Sequence, residues 1–574
     1  MDAGGATPAS ATAAASSPAK IDADRNGTAA FAPSVWGDFF ATYVPPPTQV
    51  SEEWMRERVE ELKRRVSRMF KDGEAMGGVA DTVALVDTLE RLGLDSHFRE
   101  EIAVAIGRIH VAGEGRREFA GSDDLHVAAT RFRLLRQHGF WVSADVFDKF
   151  RDSSGNFSAT NLRLSSDGGL RALLSLYHAA HMAVPGESAL DDAIEFARRH
   201  LQAMNGELRS PAAEQVSRAL DHPLPRYTRL LETMRYVAEY AQEEVHDGTL
   251  LELARLNSNL MRSLHLKELK ALTLWWRDIY NAVNLTYSRD RMVEIYLWSC
   301  GMIPEEEHSR GRLIFAKTFG IVSFLDDTFD VHATLEESRS LNEAFQRWDE
   351  SAVSILPEYL RMLYIKTLSN FKEFEDLLEP QEKYRMFYVK KAYQLQSAYY
   401  MQEAEWTNDK YQPSFAEHEE LSTMSTGLPM LNLMALMGYD GAVATQEVFD
   451  WMSAPVPDMV RAGAVIGRFL NDISSYRLGK NKNDVGSSVE CYMQEKGVTG
   501  QEAVAAIAAM TEHRWRLLNR ACMETKRALL PAVQLVASIA RTCEVIYLRG
   551  RDGYTFGSHA KDLVTALFLD PIPL

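Results

Sequence analysis

The 574-residue sequence has few cysteines and no long apolar run, and each absence excludes a class of protein. Its four cysteines are far apart and form no Cys-x-x-Cys pair, so a disulfide scaffold is excluded and a reducing compartment is expected. No stretch of about eighteen apolar residues is free of charge. The nearest candidate, residues 313–325, contains Lys317, so we predict no membrane span.

Positive charge is also scarce. The sequence has 63 lysines and arginines but 80 aspartates and glutamates, which gives a net charge of −17. Because nucleic-acid binders depend on lysine and arginine at phosphates, we expect no nucleic-acid partner. The sequence contains no Gly-x-Gly-x-x-Gly, no Gly-x4-Gly-Lys-Ser/Thr and no His-Glu-x-x-His motif, which argues against nucleotide-dependent chemistry.

The first residues are rich in alanine, serine and glycine and lack a hydrophobic run that could form the core of a signal peptide. The acidic residues Asp2, Asp22 and Asp24 also distinguish this stretch from a plastid transit peptide, which avoids acids. We therefore expect residues 1–30 to form a disordered tail and the protein to be cytoplasmic.

Beyond the tail, apolar residues recur at three- and four-residue spacing, which predicts an all-α protein. Examples are Val59, Leu62, Val66 and Met69, and Leu250, Leu253, Leu256, Leu260 and Leu264. Alternating strand patterns are scarce. Pro223 and Pro225 interrupt the helical pattern, so we predict two helical domains, 31–230 and 231–574.

A cluster of aspartates follows the apolar run 313–325 directly. On a helix, Asp326 and Asp330 lie on one face about 6 Å apart along the axis, whereas Asp327 is turned away by about 100°. Two carboxylates this close repel each other unless a cation lies between them, and oxygen ligands suit Mg²⁺. A solvated helix end is the alternative interpretation of such a cluster.

A second polar stripe follows another apolar stretch, about 145 residues later. Asn471 and Ser475 share a helix face, so their oxygens could form a second, weaker metal site. Arg468 lies three residues before Asn471 on that face and could bind a phosphate with its planar guanidinium. Taken alone, this stripe is more typical of an ordinary surface.

Arginines and aromatic residues near these stripes suggest an anionic substrate with an apolar body. Arg289 and Arg291 precede the aspartates by about 35 residues, although an ordinary salt-bridged surface is the alternative. Several aromatic side chains could line an apolar cavity and stabilise a cation with their ring faces, or could belong to the core. They are Trp298, Tyr399, Tyr400, Trp406 and Tyr554.

Together these residues resemble the plant terpene synthases, specifically class I sesquiterpene cyclases, from Phe31 to Leu574. Seven motifs carry the resemblance, in family order: Pro33-Ser-Val-Trp36-Gly-Asp-Phe39, Phe132-Arg-Leu-Leu-Arg-Gln-His-Gly139, Arg289-Asp-Arg291, Asp326-Asp-Thr-Phe-Asp330, Asn471-Asp-Ile-Ser-Ser475-Tyr476, Val489-Glu-Cys-Tyr-Met493 and Asp552-Gly-Tyr554-Thr555. The resemblance implies a C-terminal class I terpenoid synthase fold with a deep apolar pocket and an N-terminal relict α-barrel-like domain.

The resemblance also implies roles for single residues. The metal ligands are Asp326, Asp330, Asn471 and Ser475, holding three Mg²⁺ ions with Mn²⁺ as an alternative. The catalytic and substrate-binding residues are Arg289, Arg291, Arg468, Trp298 and Tyr554, together with Asp326, Asp330 and Asn471. Asp327, Asp472 and Glu403 are expected beside the ligands. The implied substrate is farnesyl diphosphate, the product a C15 hydrocarbon or alcohol, and the protein a monomer.

Two departures from the family pattern bear on function. The second metal motif of the family ends in a glutamate where this chain has Gly479, so metal binding is expected to be weaker there or to use water instead. The paired arginines of isomerising plastidial monoterpene enzymes are replaced by Asn26 and Gly27, which favours farnesyl diphosphate. The first domain has no Asp-x-Asp-Asp, so cyclisation initiated by protonation is not expected.

Four alternatives remain at this stage. The chain could act on geranyl diphosphate as a monoterpene synthase, or be a catalytically impaired homologue because of Gly479. A chain-elongating prenyltransferase would carry a second aspartate-rich motif, whereas residues 471–475 read Asn-Asp-Ile-Ser-Ser. A non-catalytic helical scaffold would show no Mg²⁺-dependent release of diphosphate.

Overall fold

A computed structural model describes residues 31–46, 50–76, 78–114, 124–159, 168–453, 455–479 and 486–574. Across these ranges the chain forms twenty-three α-helices, and its β-pairing is limited to one isolated bridge between Arg151 and Phe157. The prediction of an all-α protein is confirmed. The tail predicted at residues 1–30 lies outside the described residues.

The first nine helices are α1 Phe39–Thr42, α2 Glu52–Met76, α3 Val79–Arg91, α4 Arg99–Glu114, α5 Leu125–Gln137, α6 Gly169–Ala180, α7 Ser188–Asn205, α8 Ala212–Asp221 and α9 Arg229–Tyr240. The next seven are α10 Gly248–Val283, α11 Met292–Met302, α12 Ser309–Asp327, α13 Leu335–Arg347, α14 Glu358–Asp376, α15 Arg385–Asp409 and α16 Phe415–Ser425. The last seven are α17 Leu428–Met437, α18 Gln446–Ser453, α19 Asp458–Arg477, α20 Ser488–Lys496, α21 Gly500–Glu524, α22 Leu530–Ile546 and α23 Lys561–Val564. Two π-helical turns, Thr328–His332 and Thr565–Leu569, follow α12 and α23.

The N-terminal helices pack around two hydrophobic cores that meet at α5. Leu134 and Leu135 of α5 belong to a core formed with α2, α3 and α4. Phe132, on another side of the same helix, belongs to a core formed with α6, α7 and α8. The apolar residues of α5 therefore serve two cores, which explains why so much of this helix is buried.

The long helix α10 connects these cores with the rest of the molecule. The side chain of Asp247 caps its start by accepting hydrogen bonds from the main-chain N–H groups of Thr249 (2.7 Å) and Leu250 (3.1 Å). Its first half, through Leu260, packs in the core of α2 to α4, and residues from Leu266 onward pack in the large C-terminal core. Because α10 contributes to both cores, packing gives no sharp boundary, and the division at residue 231 stays a prediction.

The C-terminal helices pack around one large core and a smaller one formed by α19, α20 and α21, and several of these helices line a cavity. Helix α12 packs against α11 and α17, and α19 packs against α21 and α22. Among the described residues, one helical stretch, 527–550, is long and apolar enough to be a candidate membrane span, but 67% of its most apolar window is buried within the protein. This stretch is therefore a core helix that helps to enclose the cavity.

Candidate active site

A cavity of about 600 Å³ opens between α12, α15, α16 and α19. It collects most of the residues that the sequence predicted for a functional site. Those on its wall are Arg289, Trp298, Asp326, Asp330, Tyr400, Glu403, Arg468, Asn471, Asp472, Ser475 and Tyr554. Residues that lie almost 150 positions apart in the chain thus face one common space.

One side of the cavity, the acidic wall, is formed by Asp326 and Asp330. Helix α12 ends at Asp327 and continues as the π-helical turn Thr328–His332, so Asp326 lies on the last helical turn and Asp330 in the π-turn. Both carboxylates line the cavity. Asp327 is 1% exposed and turned away, as the helical geometry predicted. Such π-turns occur frequently at functional sites.

Asp327 anchors the acidic wall to the segment before α11. Its Oδ2 accepts hydrogen bonds from Ser288 Oγ and from the main-chain N–H of Arg289, each at 2.8 Å. Its Oδ1 lies 2.7 Å from Nη2 of Arg289. Burial raises the pKa of this carboxyl, and the nearby guanidinium offsets part of that rise. The aspartate is therefore used for structure, and it holds Arg289 in place.

Arg289 is buried between the two neighbouring aspartates and two aromatic rings. Its Nη2 also pairs with Asp326, and its guanidinium carbon lies 4.9 Å from the ring centre of Tyr554 and 5.0 Å from that of Phe31. Burial disfavours the charged guanidinium, but Asp327 and Asp326 outweigh this effect and raise its pKa well above the ordinary value. Arg289 is thus a fixed positive charge at the rim of the cavity.

A second part of the cavity wall, the polar wall, is formed by Asn471 and Ser475 on α19. The aspartate between them, Asp472, also lines the cavity but is only 4% exposed, and it anchors α19 to the start of α20. Its Oδ2 accepts hydrogen bonds from the main-chain N–H of Ser488 at 2.8 Å and from Ser488 Oγ at 2.6 Å. Burial would raise the pKa of Asp472, but His418, Arg468 and Ser488 together lower it to about 2. This carboxylate is therefore ionised, and its oxygens are already engaged by Ser488 and Arg468.

Helix α19 ends before the position where the family pattern places a glutamate. Its last residue is Arg477, and Gly479 has a φ of +65°, in the left-handed region that terminates helices. No described atom lies within 4 Å of where a β-carbon at Gly479 would stand. The polar wall therefore lacks both a carboxylate and a continuing helix at this position.

Arg468 and Glu403 lie between the two walls. Arg468 Nη1 is 3.5 Å from Asp472 Oδ1, and its Nε donates to the carbonyl oxygen of Ser422 at 3.3 Å. Glu403 accepts a hydrogen bond from Ser425 Oγ at 2.6 Å, and burial raises its pKa. Arg468 and Glu403 thus add one positively charged group and one carboxyl group to the cavity wall near Asp472.

Arg291 is the predicted substrate-binding residue that the structure does not bring to the cavity. It is 1% exposed, and its donors bind main-chain carbonyl oxygens of Tyr554 (3.1 Å), Thr555 (2.9 Å), Ala32 (2.7 Å) and Asp290 (2.7 Å). These bonds hold the 552–555 loop and the segment at Ala32 beside the cavity. Direct contact of Arg291 with a substrate would require these bonds to break.

Aromatic side chains form much of the remaining cavity wall. Trp298, Tyr400 and Tyr554 lie on it as predicted, whereas Tyr399 and Trp406 do not. Sequence reasoning missed Phe319 and Tyr547. Phe319 could have been found, because it precedes Asp326 by seven residues and therefore shares its helix face. For Tyr547, at the C-terminal end of α22, we find no comparable signal.

The oxygen donors on the two walls fit a metal that is shared with a substrate. Within the part of the chain that the structure describes, no three His, Cys, Asp or Glu side chains converge to form a complete protein cage for a metal. Mg²⁺ is typically held by one or two carboxylates and completes its shell with water and substrate phosphates. Asp326 and Asp330, with the neutral oxygens of Asn471 and Ser475, offer this kind of incomplete donor set.

The sequence of this chain matches family models and known proteins over most of its length. The model of the terpene synthase N-terminal domain matches residues 35–220, and that of the terpene synthase family metal-binding domain matches residues 277–517. A eudesmanediol synthase from Zea mays is 63% identical over 95% of this chain and 96% of its own length. The chain belongs to the terpene synthase family. The prediction of an enzyme of this family is thereby confirmed.

Other members of the terpene synthase family extend the comparison. A tau-cadinol synthase from Zea mays is 44% identical over 95% of this chain and 98% of its own length. The structure of grey poplar isoprene synthase with three Mg²⁺ ions and dimethylallyl-S-thiolodiphosphate matches with a TM-score of 0.82 and 29% identity, covering 91% of this chain and 98% of that one. The predicted class I terpenoid synthase fold is confirmed. Family membership implies a divalent metal and a prenyl diphosphate substrate.

Proposed function

We propose that this terpene synthase ionises farnesyl diphosphate in a Mg²⁺-dependent reaction and cyclises the resulting allylic cation to a sesquiterpene, releasing diphosphate. The observation that carries the proposal is that the acidic wall, the polar wall, Arg289 and Arg468 line one cavity together with aromatic side chains. This arrangement suits a substrate with an anionic head and an apolar chain.

We assign Asp326, Asp330, Asn471 and Ser475 as the ligands of three Mg²⁺ ions, with Mn²⁺ as an alternative. Three ions are named in the matching isoprene synthase structure, which supports this number. When bound, Mg²⁺ supplies Lewis-acid stabilisation of the charge that develops on diphosphate. Asp327 and Asp472 are positioning residues in this proposal. Each carboxylate is already bonded to other protein groups, and it orients the helix that carries the metal ligands.

Arg289 and Arg468 hold the diphosphate in this proposal. Planar guanidinium groups suit phosphate oxygens, and both arginines line the cavity. In the structure Arg289 pairs with Asp326. Diphosphate oxygens compete for that guanidinium, so substrate binding is expected to release the Asp326 carboxylate for metal binding. Arg291 contributes indirectly by fixing the 552–555 loop.

The aromatic wall then controls the cation. Ring faces of Trp298, Phe319 and Tyr400 stabilise positive charge without reacting with it, and the apolar surface folds the prenyl chain. Tyr554 lies on the loop that borders the cavity, with its hydroxyl against Ser323. We expect this loop to exclude bulk water during turnover, as active-site lids do.

We further propose that the product is a hydroxylated sesquiterpene. The matching Zea mays relative at 63% identity is named a eudesmanediol synthase, which supports an oxygenated product. Ser422 Oγ is buried on the cavity wall and has no hydrogen-bond partner among the described residues. A buried polar atom of this kind is normally satisfied by water. Water held there would add its oxygen lone pair to the final cation and lose a proton to the released diphosphate.

The direct test is incubation of purified protein with farnesyl diphosphate, with and without Mg²⁺, followed by assay of diphosphate and by gas chromatography and mass spectrometry of extracted products. A metal-dependent C15 product is expected. Turnover of geranyl diphosphate alone would replace the sesquiterpene assignment by a monoterpene one. Failure with both substrates, from folded protein, would point to an impaired homologue.

The product proposal has its own test in ¹⁸O-labelled water with the Ser422→Ala variant. We expect one or more labelled oxygens in the wild-type product and a shift from alcohol toward hydrocarbon in the variant. Retained turnover with unlabelled hydrocarbon from the wild type would reject the hydroxylation proposal and leave the cyclase proposal intact. The control is a second small change on the cavity wall. Thr426→Ser serves this purpose better than Ser425→Ala, because the Ser425 hydroxyl donates a hydrogen bond to Glu403.

We also propose a cytosolic monomer. All four cysteines, Cys300, Cys491, Cys522 and Cys543, are unpaired thiols, which is typical of a reducing compartment. Light scattering of the purified protein together with fractionation of the source tissue tests both parts of this proposal.

A further inference from the structure

A second cavity of about 570 Å³ lies at the junction of the N-terminal and C-terminal helices. It shares no lining residue with the active-site cavity. Its wall is formed by α2, α9 and the middle of α10, together with residues 93–97, the acidic segment 304–307 and the C-terminal residues 566–572. Apolar side chains make up much of this wall, among them Leu230, Met234, Leu260, Met261 and Leu567.

Helix α10 presents a polar stripe to this cavity. Ser258, Arg262 and His265 are spaced at i, i+4 and i+7, so they share one helix face over about 10 Å. Ser258 Oγ, Arg262 Nε and His265 Nε2 are all buried and have no hydrogen-bond partner among the described residues. His265 is only 2% exposed. Buried polar atoms are normally satisfied by the protein, by water or by a ligand, so this stripe offers three polar atoms to a bound molecule.

Arg262 determines the charge of that ligand. The arginines and the lysine elsewhere on the cavity wall form ion pairs with glutamates. These pairs are Arg56 with Glu306 at 2.9 Å, Arg229 with Glu305 at 3.1 Å and Lys63 with Glu60 at 2.7 Å. For Arg262, no carboxylate of the described chain lies within 4 Å, and its one protein contact is a 3.5 Å bond from Nη1 to the carbonyl oxygen of Leu569. Its guanidinium is partly buried, and Asp570 on the same wall acts on it only from beyond ion-pair distance, so an oxyanion could bind this guanidinium directly.

We propose that this cavity binds an amphipathic anion, a molecule with an apolar body and a single carboxylate or phosphate head. The head group binds Arg262, Ser258 and His265 supply further hydrogen bonds, and the apolar body packs against Leu230, Met234 and Leu567. The site does not depend on the proposed terpene chemistry, because the two cavities are separate.

The test uses three probes that share an apolar chain: decanoate, decyl phosphate and the neutral 1-decanol. Binding to the full-length protein is measured by calorimetry below the concentrations at which the probes form micelles. We expect both anions to bind a site that remains in Arg468→Gln, apart from any binding in the active-site cavity, and the alcohol to bind that site more weakly. Comparison of decanoate with decyl phosphate identifies which head group the site prefers.

Four variants locate the binding. Arg262→Gln should weaken anion binding by about tenfold or more. Arg255→Gln, on the same helix but outside the cavity, and Arg468→Gln, in the active-site cavity, should leave it unchanged. Arg262→Lys keeps the charge and should restore part of the affinity, which also guards against misfolding of the glutamine variant.

Other outcomes overturn the proposal. Absence of anion binding, or equal binding to wild type and Arg262→Gln, would mean that the cavity holds water only. Loss of binding in Arg468→Gln but not in Arg262→Gln would place the probes in the active-site cavity.

Discussion

The acidic and polar walls of the active-site cavity have the same residue spacing but different ligand groups. In each, two oxygen-bearing residues four positions apart face the cavity, and the aspartate after the first of them is buried and hydrogen-bonded to a neighbouring segment. Asp327 bonds Ser288 and the main chain of Arg289, and Asp472 bonds the hydroxyl and main chain of Ser488. Each anchor also lies near an arginine of the cavity, Arg289 or Arg468.

The difference lies in charge. The acidic wall offers two carboxylates, whereas the polar wall offers an amide and a hydroxyl and has Gly479 where a third group would stand. Neutral oxygens bind Mg²⁺ less strongly than carboxylates, so the polar wall depends more on the oxygens of the substrate. We infer that the acidic wall binds metal more strongly than the polar wall, and that both walls complete their sites when diphosphate is present.

The largest expected effect is at the acidic wall. Asp326→Ala should abolish measurable turnover, a loss of roughly 10³-fold or more, because charge on the leaving diphosphate is no longer stabilised. Steady-state rates with farnesyl diphosphate at saturating Mg²⁺ measure it. Asn471→Ala is the matched change on the polar wall and should retain more activity. Retained activity in Asp326→Ala would reject the metal assignment.

The anchors are expected to have intermediate effects on activity and a clear effect on stability. Asp472→Asn removes the buried carboxylate beside Arg468 and His418, which should lower the free energy of unfolding by roughly 3 kcal/mol. Turnover should fall by roughly 10- to 100-fold, as is typical when a residue behind a metal ligand is changed. Denaturant unfolding and kinetics measure the two quantities.

Asp327→Asn is the corresponding change on the other wall, and the pair tests whether the two anchors are equivalent. A variant with wild-type stability and rate would show that the aspartate is not an anchor. The conservative Asp327→Glu separates charge from position, because it keeps the carboxylate but moves it.

Much of this site could be predicted because its chemistry follows helix periodicity. The opposite orientations of Asp326 and Asp327, and the shared face of Asn471 and Ser475, follow from 3.6 residues per turn. Contacts between distant segments could not be predicted this way. No local pattern indicates that Arg291 binds the carbonyl oxygen of Thr555, because that bond joins residues 264 positions apart.

A smaller effect is expected when the neutral ligands are removed. Ser475→Ala should raise the Mg²⁺ concentration for half-maximal activity by about tenfold and change the rate at saturating Mg²⁺ less, because water can replace one neutral oxygen. Titration of activity with Mg²⁺ measures this. Ser474→Ala is a matched control, since Ser474 is buried and turned toward the carbonyl oxygen of Tyr547. An equal shift in both variants would contradict a ligand role for Ser475.

The smallest effect is expected from adding the carboxylate that the polar wall lacks. Gly479→Glu places a side chain where its β-carbon meets no described atom within 4 Å, but the left-handed backbone disfavours it by roughly 1–2 kcal/mol. We expect slightly lower stability together with a few-fold lower Mg²⁺ requirement, because a third charged ligand would strengthen the weaker wall. Gly479→Gln carries the same backbone cost without the charge. If it lowers the Mg²⁺ requirement equally, charge at this position does not explain the difference between the two walls.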